Sequence, residues 1–225
     1  MCCLFGFIDC GRTLSARRKT MLIQALAAES EARDTDAAGI AYNSGGRLRL
    51  YKRPGPARKC GFRIPDDARV VMGHSRMTTQ GKAKYNKNNH PFSGRAGGLS
   101  FALAHNGVLH NDRALRRRWK LPESSIETDS YVAVQLIEQQ RAFTLDSLKY
   151  MAESVEGSFV FTVLDDRDTL TFVKGDTPLC LLHFPGQDLY VYASTEEILR
   201  KALNRTWLGG MFSTEVVVDG GDILT

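Results

Sequence analysis

The sequence predicts an α+β fold, a four-layer α/β/β/α sandwich, and three observations point to it. Segments with strand character fall in two groups, one in the first half of the chain and one from Ser158 onward. Amphipathic helical segments lie between and beside these groups, so each sheet has helices available to cover an outer face. The 225 residues are 43% apolar, enough to bury a full core within one domain spanning residues 1–225.

Each element follows from its local pattern. Cys2 to Asp9 is an apolar run of strand length, and Leu14 to Arg33 repeats apolar residues at Met21, Leu22, Ala25, Leu26 and Ala28, the spacing of a helix. Ala38 to Asn43 and Leu48 to Lys52 alternate on either side of Asn43-Ser44-Gly45-Gly46, a hairpin signature in which glycine supplies positive φ. Pro54 to Pro65 reads as loop. Val70 to Met72 is a short strand running into Gly73-His74-Ser75-Arg76-Met77-Thr78-Thr79-Gln80-Gly81, and the polar stretch Lys82 to Asn89 reads as a surface loop. Phe101 to Ala104 is a strand that ends at His105-Asn106-Gly107. Asn111 or Asp112 caps a helix through Trp119, Ser124 to Asp129 leads into a second over Tyr131 to Arg141, and a third begins over Leu145 to Met151. From Ser158 the pattern turns to strands: Ser158 to Leu164, Leu170 to Lys174, Leu179 to Phe184 and Leu189 to Ser194, read as the second β layer. Thr195 caps a short helix, Glu196 to Leu203, and Val216 to Leu224 is a last strand interrupted by Gly220-Gly221.

Composition excludes several classes of function. The net charge is +5 and the pI about 9.0, but the runs Arg17-Arg18-Lys19 and Arg116-Arg117-Arg118 sit in or near helical segments. They read as solvated helix faces rather than a nucleic-acid surface, and the charge suits an acidic partner or an anionic ligand. No apolar run reaches membrane-spanning length and the N-terminus lacks the layout of a secretory signal, so a cytoplasmic protein without a membrane role is expected. Five cysteines, Cys2, Cys3, Cys10, Cys60 and Cys180, are an odd number without a C-x-x-C pair, which argues against a disulfide framework and a zinc site. No phosphate-binding loop occurs. Neither a metal nor a cofactor is expected.

The start of the chain carries the strongest chemical signal. Excision of Met1 would leave Cys2 with a thiol and a free α-amine, whose ordinary pKa values of about 8.5 and about 7.7–8.0 both lie near neutrality. The amine can then accept the thiol's proton and return it to a leaving amine.

A set of short motifs follows in order: Cys2-Cys3-Leu4-Phe5-Gly6, Arg33-Asp34-Thr35-Asp36-Ala37-Ala38-Gly39, the segment Gly73 to Gly81, Asn89-His90-Pro91, His105-Asn106-Gly107, Glu127-Thr128-Asp129-Ser130 and Glu156-Gly157-Ser158. In content and order this set resembles the class II glutamine amidotransferase domain of the N-terminal nucleophile hydrolase superfamily, over nearly the whole chain. The resemblance implies that superfamily's version of the four-layer sandwich. It also implies that Cys2 attacks the side-chain carboxamide of glutamine, releasing ammonia and leaving a γ-glutamyl thioester that water cleaves. Asn106 and Gly107 would supply the oxyanion hole; the competing reading is a plain Asn-Gly turn. Arg76 would grip the α-carboxylate with its guanidinium fork, Thr79 would add a hydroxyl, and Asp129 would receive the α-ammonium, unless it is simply a helix N-cap.

Arg33 would hold the N-terminal loop, with a surface arginine as the alternative, and Asp36 would support the backbone. His74, His90 and His105 lie inside motifs whose family role is scaffold, and read as satisfied structural histidines. Two departures stand out. Cys3 occupies a position where the family commonly has glycine, and is expected to pack inward. Arg76-Met77-Thr78-Thr79-Gln80 replaces Arg-Trp-Ala-Thr-His, so a methionine stands where a tryptophan would cap the pocket.

These readings converge on a stand-alone glutaminase that serves a separate synthase or acceptor-activating protein, because the resemblance stops at the glutaminase domain near Gly221-Asp222-Ile223-Leu224. Two alternatives use the same residues differently: an N-terminal cysteine amidohydrolase for another amide or γ-glutamyl compound, and a non-catalytic regulatory subunit keeping the fold.

Overall fold

A computed structural model describes residues 2–225. The first sheet has seven strands: β1 (Cys3–Asp9), β2 (Ala37–Ser44), β3 (Arg47–Pro54), β4 (Val70–Arg76), β9 (Cys180–Phe184), β10 (Leu189–Ala193) and β11 (Thr214–Glu215), in the order β11-β9-β10-β1-β4-β2-β3. The second has five: β5 (Phe92–Ala96), β6 (Leu99–Leu109), β7 (Gly157–Asp165), β8 (Leu170–Lys174) and β12 (Ile223–Leu224), in the order β12-β8-β7-β6-β5. All pairings are antiparallel.

Strand alternation sorts side chains between layers. On β1, Phe5 and Phe7 face outward and pack with Leu22 and Leu26 of α1 (Ala16–Ser30) and Leu199 and Leu203 of α5 (Glu196–Asn204). Leu4 faces inward and joins Met72, Ala102, Ala104, Val160, Phe172 and Tyr192 between the two sheets. On the far side, Phe101 and Leu103 of β6 meet Val132 and Leu136 of α3 (Tyr131–Gln139) and Leu148 and Met151 of α4 (Leu145–Ser154). A short α2 (Asp112–Arg118) flanks that outer layer. The result is the expected α/β/β/α sandwich, with each buried Phe or Leu contributing about 1.5–3 kcal/mol.

Side-chain caps fix where the helices begin. Ser15 accepts from the Arg18 N–H, Thr144 forms a reciprocal capping box with Ser147, and Thr195 accepts from the Ile198 N–H. No helix among the described residues is long and apolar enough to cross a membrane.

Three expectations are corrected. The strands after Ser158 do not form one layer: β7 and β8 join β6, while β9 and β10 return to the first sheet and pair β10 with β1. Strand period shows which face is apolar, not which sheet a strand enters, and pairing with β10 covers what would otherwise be an open edge of β1. The expected strand Val216 to Leu224 is replaced by the two-residue β11 and β12, which belong to different sheets, with Gly221 turning at φ +101° before β12. Helix α1 ends at Ser30 instead of Arg33. Phe92–Ala96 forms β5, a strand beyond those the sequence offered. It is an edge strand whose Gly94 leaves room for the Phe101 ring, where a Cβ would come within 2.3 Å.

The register gathers the motif residues at one end of the sandwich. Cys3 lies opposite Ser75, and Ala37 opposite Arg76, so the start of β1, the end of β4 and the start of β2 lie side by side.

Candidate active site

Cys2 sits just before β1 and is buried, with 9% of its surface exposed. Its Sγ accepts from the Met77 N–H at 3.4 Å and lies 3.6 Å from the Met77 carbonyl oxygen. Burial pushes the thiol up to about 11, while the Met77 bond and the positive charge of Arg76 pull the other way. A thiol in this position stays protonated at neutral pH and needs a base to become a nucleophile.

The cavity beside Cys2 has a volume of about 10 Å³, room for one water-sized sphere. Arg76, Thr79, Gly107 and Asp129 line it together with Cys2. Five of the seven expected site residues therefore meet around one small space, drawn from the residue before β1, the end of β4 and the segment after it, β6 and the turn before α3. Asn106 and Arg33 are not on its wall.

The Arg76 guanidinium is already engaged. It donates from Nη1 to Asn89 Oδ1 at 2.7 Å and from Nη2 to the carbonyl oxygens of Gln80 and Gly81 at 2.5 and 2.9 Å. Neutral acceptors of the protein occupy the fork that was assigned to a substrate carboxylate. The segment after β4 is also held by Asp36, whose Oδ2 accepts from the Thr78 N–H at 2.9 Å. This is backbone support, as expected, but given to the cavity segment.

The expected surface loop Lys82 to Asn89 is corrected at its end, because Asn88 and Asn89 are fully buried. Asn89 donates to the Ala83 carbonyl and accepts from Arg76, so its amide is satisfied inside the fold. Its polarity gave a loop signal where the structure needed a buried hydrogen-bonding group.

Asn106 and Gly107 lie within β6, not beyond a strand end, and they form no turn. Asn106 is fully buried; its Nδ2 donates to Ser194 Oγ at 3.2 Å and its Oδ1 has no hydrogen-bond partner. Gly107 has φ +145°, and a Cβ there would lie 1.9 Å from the Ser158 carbonyl oxygen. Only glycine fits.

Asp129 is not the cap of α3. Its Oδ2 accepts from the Leu109 N–H at 2.8 Å and its Oδ1 from the Ser130 hydroxyl at 3.4 Å, while the cap position belongs to Ser130, which makes no side-chain cap bond. The buried carboxylate is thus tied to the end of β6 and faces the cavity. Arg33 is half-buried, and its guanidinium makes no hydrogen bond or ion pair among the described residues; its positive charge acts on the Cys3 thiol. The loop it was expected to hold includes Met1, which lies outside the described residues. Cys3 is fully buried against the α1 and α5 layer.

Three histidines cluster at the cavity, and His90 and His105 are on its wall. His74 Nε2 lies 2.9 Å from the His105 carbonyl, His105 Nδ1 lies 2.8 Å from Ser130 Oγ, and His90 stacks on His74 and Phe92 at 4.1 and 4.4 Å. Burial lowers His74 to about 3 and His105 to about 4, and holds His90 well below its ordinary value. All three are neutral near pH 7. His90 departs from the expected satisfied state, since neither ring nitrogen has a partner.

Lys52, read only as the end of a hairpin strand, adds a second cation nearby. Its Nζ donates to the carbonyls of Asn89 and Pro91 at 2.6 and 2.9 Å, and burial followed by the charge of Arg76 lowers it to about 8. Lys52 and Arg76 together suit this end of the molecule to an anion.

A two-sheet sandwich with a buried cysteine at the head of its central strand defines the class, and comparison with known proteins agrees. Residues 74–201, more than half of the chain, match the glutamine amidotransferase domain family. The chain is 31% identical over 214 residues to glutamine-fructose-6-phosphate aminotransferase (isomerizing) of Staphylococcus epidermidis, covering 91% of this chain and 34% of that protein. It is 30% identical over 199 residues to the enzyme of the same name from Listeria innocua, covering 86% and 32%.

Among solved structures, an allosteric regulatory enzyme of purine biosynthesis matches with a TM-score of 0.74 at 22% identity, over 98% of this chain and 46% of that one. Glutamine phosphoribosylpyrophosphate amidotransferase from B. subtilis matches with a TM-score of 0.72 at 21% identity, over 95% and 45%. These two share the fold. The chain belongs to the glutamine amidotransferase domain family. It spans about a third of the length of the curated relatives it matches.

Proposed function

We propose that this chain is a glutaminase, hydrolysing the side-chain amide of glutamine through Cys2 and releasing glutamate and ammonia. The observation that carries the reading is the convergence of Cys2, Arg76, Thr79, Gly107 and Asp129 on one cavity. An α-amino acid needs an answer to each of its two charges, and a thiol alone supplies neither.

In the proposed reaction Met1 has been removed, and the α-amine of Cys2 takes the thiol proton. Sγ attacks the carboxamide carbon, and the resulting oxyanion is held by the Gly107 N–H and the Asn106 amide. The intermediate collapses as the ammonium returns its proton to the leaving nitrogen, which departs as ammonia. Water then adds to the thioester, and its proton passes by way of the amine to the departing sulfur. Arg76 takes the α-carboxylate in place of the Gln80 and Gly81 carbonyls, Thr79 adds its hydroxyl, and Asp129 takes the α-ammonium. Arg33 steadies the processed N-terminus. A cavity of about 10 Å³ does not hold glutamine, so the Met77–Gly81 segment must swing outward on binding. Residues 1–225 act as one catalytic domain, and the ammonia passes to a separate acceptor-activating protein.

The test is glutamate release by the Met1-processed protein beside Cys2→Ala and Arg76→Ala. Cys2→Ala should abolish release, and Arg76→Ala should raise KM with kcat less affected. No glutamate from the processed protein, with or without candidate partners, would overturn the reading. Activity on an amide lacking the α-amino acid group, unaffected by Arg76→Ala, would point to a different amidohydrolase. Mass spectrometry showing Met1 retained in the mature protein would remove the proposed base.

A further inference from the structure

Ser194 lies at the junction of β10 and α5, far in sequence from every motif residue, and is fully buried. Its N–H donates to the Leu4 carbonyl at 2.9 Å in the ladder between β10 and β1. The return bond is different: the Leu4 N–H donates to Ser194 Oγ at 2.8 Å. The same oxygen accepts from Asn106 Nδ2 at 3.2 Å. One hydroxyl thus joins the strand that carries the nucleophile to the side chain that would hold the oxyanion, across the two sheets.

A serine hydroxyl has two acceptor lone pairs and one proton. Leu4 and Asn106 use both lone pairs. In this arrangement Asn106 presents nitrogen to Ser194, and its Oδ1 is left without a partner. The orientation matters because an oxyanion hole needs a donor: with one N–H held by Ser194, the other Nδ2–H has no partner among the described residues, and on the glutaminase reading it would meet the oxyanion once the cavity opens.

We infer that Ser194 is a positioning residue that sets Asn106 as an N–H donor toward the carboxamide oxygen and fixes its distance from the Cys2 strand. The inference rests on the glutaminase reading for its consequence but not for its geometry, and the two can fail separately.

The experiment uses the full Met1-processed chain with Ser194→Ala, Ser194→Cys, Ser194→Thr, Asn106→Ala and the Ser194→Ala/Asn106→Ala pair. Ser194→Ala should lower kcat for glutamate release by about ten- to a hundredfold with KM little changed. It should cause no further loss in the Asn106→Ala background. Ser194→Cys keeps the size but is a poor acceptor and should lose activity as Ala does, whereas Ser194→Thr restores the hydroxyl and should recover most of it. Circular dichroism and melting temperature report folding, and Ser194→Cys carries the comparison if Ser194→Ala does not fold.

The Asn106 side-chain NH₂ signals in an ¹⁵N spectrum, assigned by their loss in Asn106→Ala, should shift in Ser194→Ala and return toward their original positions in Ser194→Thr. That readout is independent of turnover. Unchanged kcat in Ser194→Ala, an equal further loss on top of Asn106→Ala, or Asn106 signals indifferent to Ser194 would each overturn the inference. A wild-type protein that releases no glutamate but shows the NMR shift would sink the glutaminase reading and leave the Ser194–Asn106 coupling standing.

Discussion

Lowering the pH from 7.5 to 5.5 should cost the fold about 4 kcal/mol through the three histidines clustered at the cavity. In an unfolded chain each titrates near pH 6.5 or so, whereas burial lowers His74 to about 3 and His105 to about 4, and holds His90 well below the ordinary value. Because the folded values lie below the unfolded ones, the unfolded state binds more protons throughout the interval between them. Stability is therefore complete above the unfolded pKa and is lost progressively as pH falls toward the folded values. From pH 7.5 to 5.5 each histidine costs about a tenfold change in the folding constant, and three such groups give about 4 kcal/mol, a large share of a typical stability of about 5–15 kcal/mol.

Urea unfolding at pH 7.5, 6.5 and 5.5 measures this as a falling midpoint with unchanged slope. His90→Phe provides an internal check: the His90 ring nitrogens bond to nothing and the ring is stacked on His74 and Phe92, so the variant forfeits no hydrogen bond and should reduce the pH dependence by about a third. A midpoint that stays constant from pH 7.5 to 5.5 would refute the assignment of these rings as neutral and buried.

Three further outcomes are expected. In protein that retains Met1, the Cys2 thiol at about 11 should react with iodoacetamide at a rate that keeps climbing as pH rises past 9, followed by peptide mass spectrometry; a plateau below pH 9 would contradict its burial. Gly107→Ala forces a Cβ against the Ser158 carbonyl at φ +145°, and should cost about 2 kcal/mol or more in urea unfolding and remove glutamate release; a stable, active variant would show that the strand relaxes freely. Asn89→Ala strips one partner from Arg76 and should raise KM for glutamine by about tenfold with kcat less affected, whereas an unchanged KM would mean that Asn89 does not set the Arg76 fork.

The layers and the cavity residues were legible because each rests on a local pattern. The apolar run of β1 and helical spacing in α1 mark these elements as core, and the motif segments from Cys2 to Asp129 each carry their chemistry within a few residues. What escaped the sequence depended on pairing across long separations. Nothing local distinguishes β9 and β10 as partners of β1 rather than of β8. Asn106-Gly107 looks like a turn because the dipeptide is the usual hairpin signal; only its pairing with β7 shows it to be strand. Ser194, Asn89 and Lys52 are polar residues in ordinary surroundings, and their burial against the site comes from tertiary contacts.

The Met77–Gly81 segment connects the Arg76 guanidinium to the Cys2 thiol. Its first residue holds Cys2 Sγ through the Met77 N–H, and its last two carbonyls fill the Arg76 fork. In the proposed reaction a glutamine carboxylate displaces those carbonyls. The exchange preserves the number of hydrogen bonds to the guanidinium while replacing neutral acceptors with a charged one, which makes each bond roughly twice as strong. The gain offsets the cost of moving the segment, and the same movement loosens the Met77 contact to Cys2. On the proposed reaction, binding of the α-carboxylate at one end of the segment would release the thiol at the other. An amide without that carboxylate would then meet a closed cavity, and the proposed selectivity for an α-amino acid would follow from the loop's own occupation of the arginine.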